Sequence, residues 1–384
     1  MNLLWYNYKG LSKEWLYLYV ESIRIINFRN YENLNIKLSK NINIFVGKNA
    51  QGKTNLLESI YFCAVGKSFR TNKDKDMINF NSDKSYIGIN IKERNIDKLI
   101  EIKLERNAPK KMRINGIELG KNKELNSGLN VVVFSPDDLK IIKEGPQERR
   151  NFLDLEISQL KPLYRYNLNR YNKILFQRNN LLRFMKYKEK NREVLETFNI
   201  QLIKTGSQII LERKKFIDSL SSISKRIHGN LTFNEEKLDF NYVTNVTENV
   251  NDLRDLERDF FDKLNRNIDT DILKGSTEIG PHRDDIEIII NDFNSKQFAS
   301  QGQQRTAILS IKLAEVELIE NEKRYKPVLL LDDVLSELDE DRRRYLIKSF
   351  SGLQTIITSA DVIRLKEIDN LDKKTFYIEK GKVM

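Results

Sequence analysis

The sequence predicts an α/β fold in which a mixed β-sheet surrounds a phosphate-binding loop, with an inserted α-helical lobe that carries a short helical hairpin arm. Three observations predict it. A glycine-rich segment at 47–54 lies between a short apolar run and a helical pattern. After Gly145 and Pro146, alternating strand-like patterns give way to helical periodicity up to about residue 226. Finally, an apolar run ends in two carboxylates, Asp332 and Asp333.

The glycine-rich segment fits the phosphate-binding pattern G-x-x-x-x-G-K-[ST] at every fixed position. Its two glycines let the backbone curl until N–H groups face phosphate oxygens, and the helix dipole that follows favours the same anion. Lys53 is expected to reach the terminal phosphates, and the Thr54 hydroxyl is a ligand suited to Mg²⁺. A surface turn is the weaker alternative. The predicted nucleotide-binding residues of this loop are Gly47, Lys48, Asn49, Ala50, Gln51, Gly52, Lys53 and Thr54.

The run at 327–331 reads as a buried parallel strand that delivers Asp332 and Asp333 to its carboxyl end, where open α/β sheets bind ligands. We expect Asp332 to hold Mg²⁺ together with Thr54, and Asp333 to orient an attacking water. Lys53 and Asp333 are therefore the predicted catalytic residues. The alternative, two acids that cap a strand end, is weakened by the phosphate-binding loop in the same chain.

A second anion-binding device is predicted at Ser300, Gly302 and Gln303, a small polar turn before an amphipathic helix that runs through Glu317. One terminal phosphate does not need two such cradles from one subunit. We therefore expect this turn to serve the nucleotide of a second copy of the chain.

The 384 residues carry a formal net charge of +11, which fits a polyanionic partner, nucleic acid first and anionic membrane second. Cys63 is the single cysteine, and only His228 and His282 are histidines, so a disulfide or a thiolate or histidine metal site is not expected. No apolar run reaches the length of a membrane span. We expect a cytoplasmic protein with no membrane partner, and residues 1–18 as an extension of uncertain structure.

The helical lobe is basic between Lys161 and Lys190, where nine Lys or Arg residues face one acid, Glu189. Residues 164–187 and 194–220 are expected to pair as an antiparallel hairpin. Two interpretations stay open: the cations and interleaved aromatics bind phosphates and stack bases, or they form a solvated helix face above core aromatics. The aromatics are Tyr164, Tyr166, Tyr171, Phe176, Phe184 and Tyr187.

These motifs together resemble the ATP-binding-cassette ATPase heads, with residues 300–303 as their signature loop and Ser336 to Asp339 along the dimer seam. Ser359 stands where such heads often carry a histidine, and Asp333 replaces their usual glutamate, which implies slow hydrolysis. Within that group the chain resembles the RecF family from about Val20 onward. The residues that carry this likeness are, in order, 27–31, 47–58, 66–71, 145–154, 280–285 and 331–339.

The resemblance implies an ATP- and Mg²⁺-dependent homodimer that binds single-stranded, gapped or junction DNA and works with the RecR and RecO proteins. It implies roles in DNA repair, recombination, replication and the SOS response, with a weak DNA-stimulated ATPase used as a switch. The expected division is an ATPase lobe at 19–145, a helical lobe at 146–275 and a return to the ATPase core at 276–384.

Two alternatives remain open at this point: a transporter-type ATPase subunit, or a DNA-binding module with a vestigial nucleotide site. His282 and Arg283 have either a catalytic or a structural role, and a turn set by Gly280 and Pro281 favours the structural or a nucleotide-sensing role.

Overall fold

The computed structural model describes residues 18–93, 96–120, 125, 127–186, 192–248, 250, 252–361 and 371–384. The chain forms two compact units, Met1–Pro136 with Val316–Met384, and Asp137–Glu315. Residues 276–315, assigned from the sequence to the returning ATPase core, group with the second unit. The predicted extension lies almost wholly outside the described residues, as do Tyr187, Lys188, Glu189 and Lys190.

The first unit contains an antiparallel six-stranded sheet in the order β2-β1-β4-β5-β6-β7. The Asn-Gly pair at 115–116 predicts a type I′ hairpin turn. Asn115 and Gly116 join the last two strands with φ of 51° and 79°, the left-handed pair that this turn needs, which confirms the prediction. The strands are β1 (Leu18–Phe28), β2 (Tyr31–Lys37), β4 (Lys84–Glu93), β5 (Ile96–Glu105), β6 (Ala108–Ile114) and β7 (Ile117–Glu118).

A second six-stranded sheet of the same unit has the order β15-β14-β3-β13-β12-β8 and is parallel except for the pairing of its last two strands in sequence. Every residue of its strands at 42–46 and 328–332 is buried, as expected for a sheet covered on both faces. The strands are β3 (Ile42–Val46), β8 (Val131–Phe134), β12 (Val328–Asp332), β13 (Thr355–Ser359), β14 (Lys373–Glu379) and β15 (Lys382–Val383).

Helix α1 (Lys53–Val65) lies between these two sheets. The sequence predicts an amphipathic helix over 55–63, but Glu58, Ser59 and Tyr61 are buried together with the apolar side chains. The prediction of one apolar face is therefore wrong: both faces of the helix are covered. Helix α10 (Glu340–Lys348) also lies in this unit.

The second unit is mainly helical, with a small antiparallel sheet in the order β11-β10-β9. Its strands are β9 (Leu238–Val243), β10 (Asp285–Ile290) and β11 (Phe293–Asn294). Its helices are α2 (Lys140–Lys143), α3 (Pro146–Leu160), α4 (Pro162–Met185), α5 (Arg192–Leu231), α6 (Leu253–Arg266), α7 (Ile268–Lys274) and α8 (Ser295–Phe298), and α9 (Gln301–Lys323) begins in it.

Helices α4 and α5 form the predicted antiparallel hairpin, although α5 is longer than expected at 40 residues. Asn167 bonds Gln208 near one end of the pair and Arg178 bonds Asn199 near the other, at 2.6 and 2.7 Å. Gly206 permits close packing, because a Cβ there would lie 3.0 Å from Tyr171. None of the helices in the described ranges combines the length and the apolar composition that crossing a membrane would take.

Candidate functional site

The glycine-rich loop connects β3 to α1, and neighbouring segments hold its carbonyl groups. The Gln51 carbonyl accepts hydrogen bonds from Asn30 Nδ2 at 2.8 Å and from the Gly381 N–H at 3.0 Å. The Tyr31 hydroxyl donates to the Gly52 carbonyl at 3.0 Å. Because the N–H of a trans peptide points opposite to its carbonyl, fixing the Gln51 carbonyl turns the Gly52 N–H to the other side. The loop can thus present N–H groups to an anion.

Both fixed glycines of the loop are required by the close approach of other groups. A Cβ at Gly47 would lie 2.4 Å from the backbone oxygen of Ile378, and one at Gly52 would lie 2.6 Å from the Asn30 amide. Gly52 also has φ of 114°, a conformation that side chains disfavour. The glycines that the sequence pattern singles out therefore have a steric reason in this fold.

The predicted phosphate-binding residues all lie in this loop and the first turn of α1. Lys53 is buried, and its Nζ donates to the carbonyls of Gly47 at 2.5 Å and Lys48 at 3.2 Å. The ammonium is therefore held across the loop by its own backbone. Lys48, Asn49 and Ala50 are exposed and Gln51 is half-buried. This places one fixed positive charge among backbone groups that suit an anion.

Thr54 and Asp332 meet, as the sequence predicts for two oxygen ligands of one cation. Thr54 Oγ1 donates to Asp332 Oδ1 at 2.9 Å, and Thr358 Oγ1 donates to the same oxygen at 2.8 Å. Burial raises the pKa of Asp332, although these two hydrogen bonds oppose the shift. A bound cation would favour the ionised carboxylate. The hydroxyl and carboxylate fit the hard oxygen ligands that Mg²⁺ prefers.

Asp333 follows directly and adopts the left-handed conformation, with φ of 59°. Its N–H donates to Thr358 Oγ1 at 3.0 Å, so one hydroxyl fixes both acids at the strand end. In the described residues, no three His, Cys, Asp or Glu side chains group closely enough to hold a metal ion by themselves. A divalent cation at Asp332 would need phosphate oxygens or waters to complete its coordination, which is the usual arrangement for Mg²⁺.

Sequence reasoning missed the role of Glu58, one turn after Thr54 on α1. This carboxylate is fully buried and accepts two hydrogen bonds from the Arg29 guanidinium, at 2.9 and 2.7 Å. Arg70 donates to Asn55 Oδ1 at 2.7 Å and also lies 3.5 Å from Glu58. The signal was available: a carboxylate within an otherwise apolar helical run requires a cationic partner.

The second predicted anion-binding turn forms a capping box at the start of α9. Ser300 Oγ accepts from the Gln303 N–H at 3.2 Å, and Gln303 Oε1 accepts from the Ser300 N–H at 2.9 Å. Ser300 and Gly302 are exposed. Since the Ser300 oxygen acts as the acceptor in the box, its hydroxyl hydrogen is available to an external group. This turn belongs to the second unit and the glycine-rich loop to the first.

His282 is held on both ring nitrogens. Its Nε2 lies 2.8 Å from the Thr277 carbonyl, so Nε2–H donates there and Nδ1 accepts from the Tyr171 hydroxyl at 2.7 Å. Burial lowers the pKa of His282 to about 4. The neutral ring is therefore fully used in packing the second unit, which favours a structural role over acid–base chemistry. Arg283 pairs with Glu278 at 2.8 Å.

The basic segment of α4 divides between core and surface. Tyr164 and Tyr171 are buried, whereas Tyr166 and Phe176 are 59% and 66% exposed. Arg178, counted among the basic residues in the sequence, is fully buried. It bonds Asp271 at 2.8 Å, so it belongs to the core and not to a nucleic-acid surface. The exposed side is termed the α4 face and consists of Tyr166, Arg170, Lys173, Phe176, Arg183 and Phe184.

Comparison with known proteins gives concordant results. The model of the RecF/RecN/SMC N-terminal domain matches residues 19–382. A protein of Clostridium novyi (strain NT), named DNA replication and repair protein RecF, is 47% identical over 95% of this chain and 99% of its own length. Its counterpart from Alkaliphilus oremlandii (strain OhILAs) is 45% identical over the same shares.

Solved structures agree with this assignment. The structure of the recombination mediator protein RecF-ATP in the RecFOR pathway superposes with a TM-score of 0.91 at 34% identity, covering 98% of this chain and 99% of that chain. The Smc head domain of Pyrococcus furiosus, at 17% identity and a TM-score of 0.55 over 96% of each chain, shares the fold. On the family model, the relatives and the superposition together, the chain belongs to the RecF family.

Proposed function

We propose that this chain is an ATP-dependent DNA-binding protein of recombinational gap repair and replication, which dimerises when it binds ATP and hydrolyses it slowly. The observation that carries the proposal is the contact between Thr54 and Asp332 beside the buried Lys53. A hydroxyl, a carboxylate and a fixed ammonium converge where a glycine-rich loop begins a helix. The names of the relatives, with replication, repair and an ATP complex in them, support the same reading.

In this proposal Lys53 and the loop N–H groups bind the terminal phosphates, and Thr54 and Asp332 hold Mg²⁺. Mg²⁺, when bound, neutralises charge on the phosphate oxygens. Asp333 orients the attacking water, held in place by the bond between its N–H and Thr358. Because aspartate is one methylene shorter than glutamate, we expect slow turnover that times release and does no mechanical work.

The proposed dimer is inferred from the anion-binding turn at Ser300, Gly302 and Gln303. Ser300 and Gly302 are exposed at the N-terminus of a 23-residue helix, where N–H groups and the helix dipole favour an anion. We assign this turn to the terminal phosphate of the nucleotide in a second copy. ATP would then link the two copies, and its hydrolysis would weaken the link.

DNA contact is assigned to the α4 face, where exposed aromatics alternate with cations. Such a surface binds phosphates by charge and stacks unpaired bases on aromatic rings. Single-stranded, gapped or junction DNA is therefore the proposed substrate. Cooperation with RecR and RecO, a contribution to the SOS response and a cytoplasmic location belong to the same proposal through the family.

Two variants test the ATP-linked dimer in one sedimentation experiment with ATP and Mg²⁺. Lys53→Ala should lose nucleotide binding and remain monomeric. Ser300→Arg should bind nucleotide as the wild type does yet remain monomeric, because a bulky cation would occupy the place of the partner's phosphate. Normal ATP-dependent dimerisation of Ser300→Arg would overturn the assignment of this turn.

Lys53→Arg tests the alternative that the chain is a DNA-binding module with a vestigial nucleotide site. A functional site should lose ATP turnover with this variant, because the guanidinium cannot replace a compact ammonium in the loop. If Lys53→Arg matched the wild type in turnover and dimerisation, the nucleotide site would be vestigial and DNA binding alone would remain. The transporter-type alternative receives no support, because the chain belongs to the RecF family along almost its whole length.

A further inference from the structure

The capping box at the start of α9 is tied to a residue outside that helix. Gln303 Nε2 donates to Glu236 Oε1 at 3.0 Å. Glu236 lies in the turn between α5 and β9, and 22% of its side chain is exposed. Gln303 therefore makes two bonds through one amide group, one to Ser300 and one to Glu236. The capping box alone would fix only the first turn of α9.

Behind Glu236 lies His228, a fully buried residue of α5. Its Nε2 is 3.2 Å from Glu236 Oε2, and its Nδ1 is 3.1 Å from Ser310 Oγ on α9. This chain of contacts therefore begins on α9 at Gln303 and ends on α9 at Ser310, two turns further along the helix. His228 on α5 and Glu236 in the turn that follows it thus contact α9 at two levels, Ser310 and Gln303.

The hydrogen bonds of Ser310 determine which ring nitrogen of His228 carries the hydrogen. The Ser310 hydroxyl donates to the Thr306 carbonyl at 2.8 Å, so His228 Nδ1–H is the donor to Ser310. In that tautomer Nε2 carries a lone pair toward Glu236. A glutamine at 236 would donate from its own amide to this lone pair while its oxygen still accepted from Gln303.

We propose that Glu236, supported by His228, is a positioning residue that sets the orientation of Ser300 and Gln303 toward the nucleotide of the second copy. This inference rests on the proposed function of that turn. Gln303 has a flexible side chain at a half-exposed position, so without Glu236 it would sample other rotamers. Its bond to the Ser300 N–H would then be made only part of the time.

The test compares Glu236→Ala, Glu236→Gln and the exposed neighbour Glu235→Ala as a matched control. Dissociation constants are measured separately for nucleotide on the monomer and for the ATP–Mg²⁺ dimer. Glu236→Ala should weaken the dimer about tenfold, as expected for a lost bond to a charged group, with monomer nucleotide affinity unchanged. Glu236→Gln should restore the dimer to within about twofold of the wild type, and Glu235→Ala should match the wild type.

A double-mutant cycle adds a readout that a general packing defect would not give. Gln303→Met removes the amide at an exposed helix end, where folding is not at risk. Combined with Glu236→Ala it should weaken the dimer no further than Gln303→Met does alone, because Glu236 acts through the Gln303 amide. Additive losses would overturn the inference, as would wild-type dimerisation of Glu236→Ala or equal losses in Glu236→Ala and Glu236→Gln.

Ser300→Arg distinguishes a failure of the positioning role of Glu236 from a failure of the proposed function of the turn. If Ser300→Arg is monomeric while Glu236→Ala dimerises normally, only the positioning role fails. If Ser300→Arg itself dimerises normally, the proposed function of the turn fails first. Should Glu236→Ala not fold, Glu236→Met takes its place, because methionine keeps the length of the side chain but lacks the carboxylate oxygen; the inference requires Glu236→Met to dimerise less well than Glu236→Gln.

Discussion

Three buried ionisable side chains and one half-buried one, Asp138, lie close together in the second unit. Lys312 Nζ lies 3.1 Å from Glu315 Oε2 and 3.4 Å from Asp138 Oδ1, and Glu156 lies near the same ammonium. Three carboxyl groups thus share one cation. Burial raises the pKa of Glu156 to about 7, and burial also raises that of Glu315. Part of this cluster therefore carries a proton near neutral pH.

Glu156→Gln tests that proton. A carboxyl whose pKa is higher in the folded than in the unfolded state costs stability as pH rises from about 4.5 to about 7. The neutral amide carries no such cost. The free energy of unfolding of the variant, relative to that of the wild type, should therefore rise by about 2 kcal/mol between about pH 5 and about pH 8. Urea unfolding at several pH values measures it. The exposed Glu144→Gln is the control, and a difference independent of pH would contradict the assignment.

Arg213 and Asp284 form a second buried pair, between α5 and the turn before β10. Arg213 Nη1 lies 3.0 Å from Asp284 Oδ2, and the Tyr242 hydroxyl also donates to this carboxylate. Asp284→Ala would leave the guanidinium with Asp154 as its remaining carboxylate partner, so we expect a loss of about 3 kcal/mol in unfolding free energy. Denaturant titration checks this value against the exposed Asp269→Ala. A loss below about 1 kcal/mol would mean that Asp154 compensates the charge.

At the scale of elements, the hairpin of β14 and β15 braces the glycine-rich loop. Its turn residues Lys380 and Gly381 have φ of 47° and 72°. The Lys380 N–H donates to Gln51 Oε1 at 2.6 Å, and the Gly381 N–H donates to the Gln51 carbonyl at 3.0 Å. Both contacts join residues about 330 positions apart along the chain. The turn between β14 and β15 therefore takes part in shaping the phosphate-binding loop.

Gly381→Val should lower nucleotide affinity by about tenfold, because the loop loses its brace and a Cβ would lie 2.3 Å from the Asn30 carbonyl oxygen. The positive φ adds strain for a β-branched residue. Titration with a fluorescent ATP analogue gives the affinity. Lys382→Ala, in the same hairpin but exposed, should bind as the wild type does. Equal affinity in both variants would show that the brace is dispensable.

The elements that the sequence predicts correctly are those with local causes. Asn115 and Gly116 specify their turn by their own backbone preferences, and apolar runs such as 328–331 are buried wherever the sheet is covered. The second face of α1 could not be predicted, because the sheet that covers it comes from distant segments. The three-residue spacing of Ser300 and Gln303 is that of a capping box. The bond from Gln303 to Glu236 could not be predicted, because it joins residues that are distant in the sequence.

Composition alone also does not predict which residues of helix α4 are buried and which are exposed. Its buried positions follow one another at three- and four-residue spacing, and Tyr164, Tyr171 and Arg178 fall on that stripe. Tyr166 and Phe176 do not, and they are exposed. Composition alone left the two interpretations of the basic segment open. Helical phase shows which of its side chains are exposed, because the side chain that faces α5 is decided by position and not by type. Binding of DNA by the exposed ones stays a prediction.

For the whole molecule, the charge of +11 makes DNA affinity depend on salt. If ATP joins two chains, twice as many cations can meet one DNA molecule. The plot of log affinity against log salt, from about 50 to about 200 mM, should therefore be steeper with ATP and Mg²⁺ than without. Lys53→Ala should give the shallow slope under both conditions. A slope that does not change with ATP in the wild type would separate DNA binding from dimerisation.

The α4 face should account for part of that slope. The double change Arg170→Glu and Lys173→Glu removes two cations, so the slope should fall by about 2 for each chain that contacts DNA. Tyr166→Ala should instead weaken single-stranded more than duplex DNA at every salt concentration, because base stacking does not release counterions. Fluorescence anisotropy with labelled oligonucleotides measures both effects. Arg254→Glu, an exposed charge reversal on α6, is the control. If it lowered the slope as much as a change on α4 did, the whole basic surface and not the α4 face would bind the DNA.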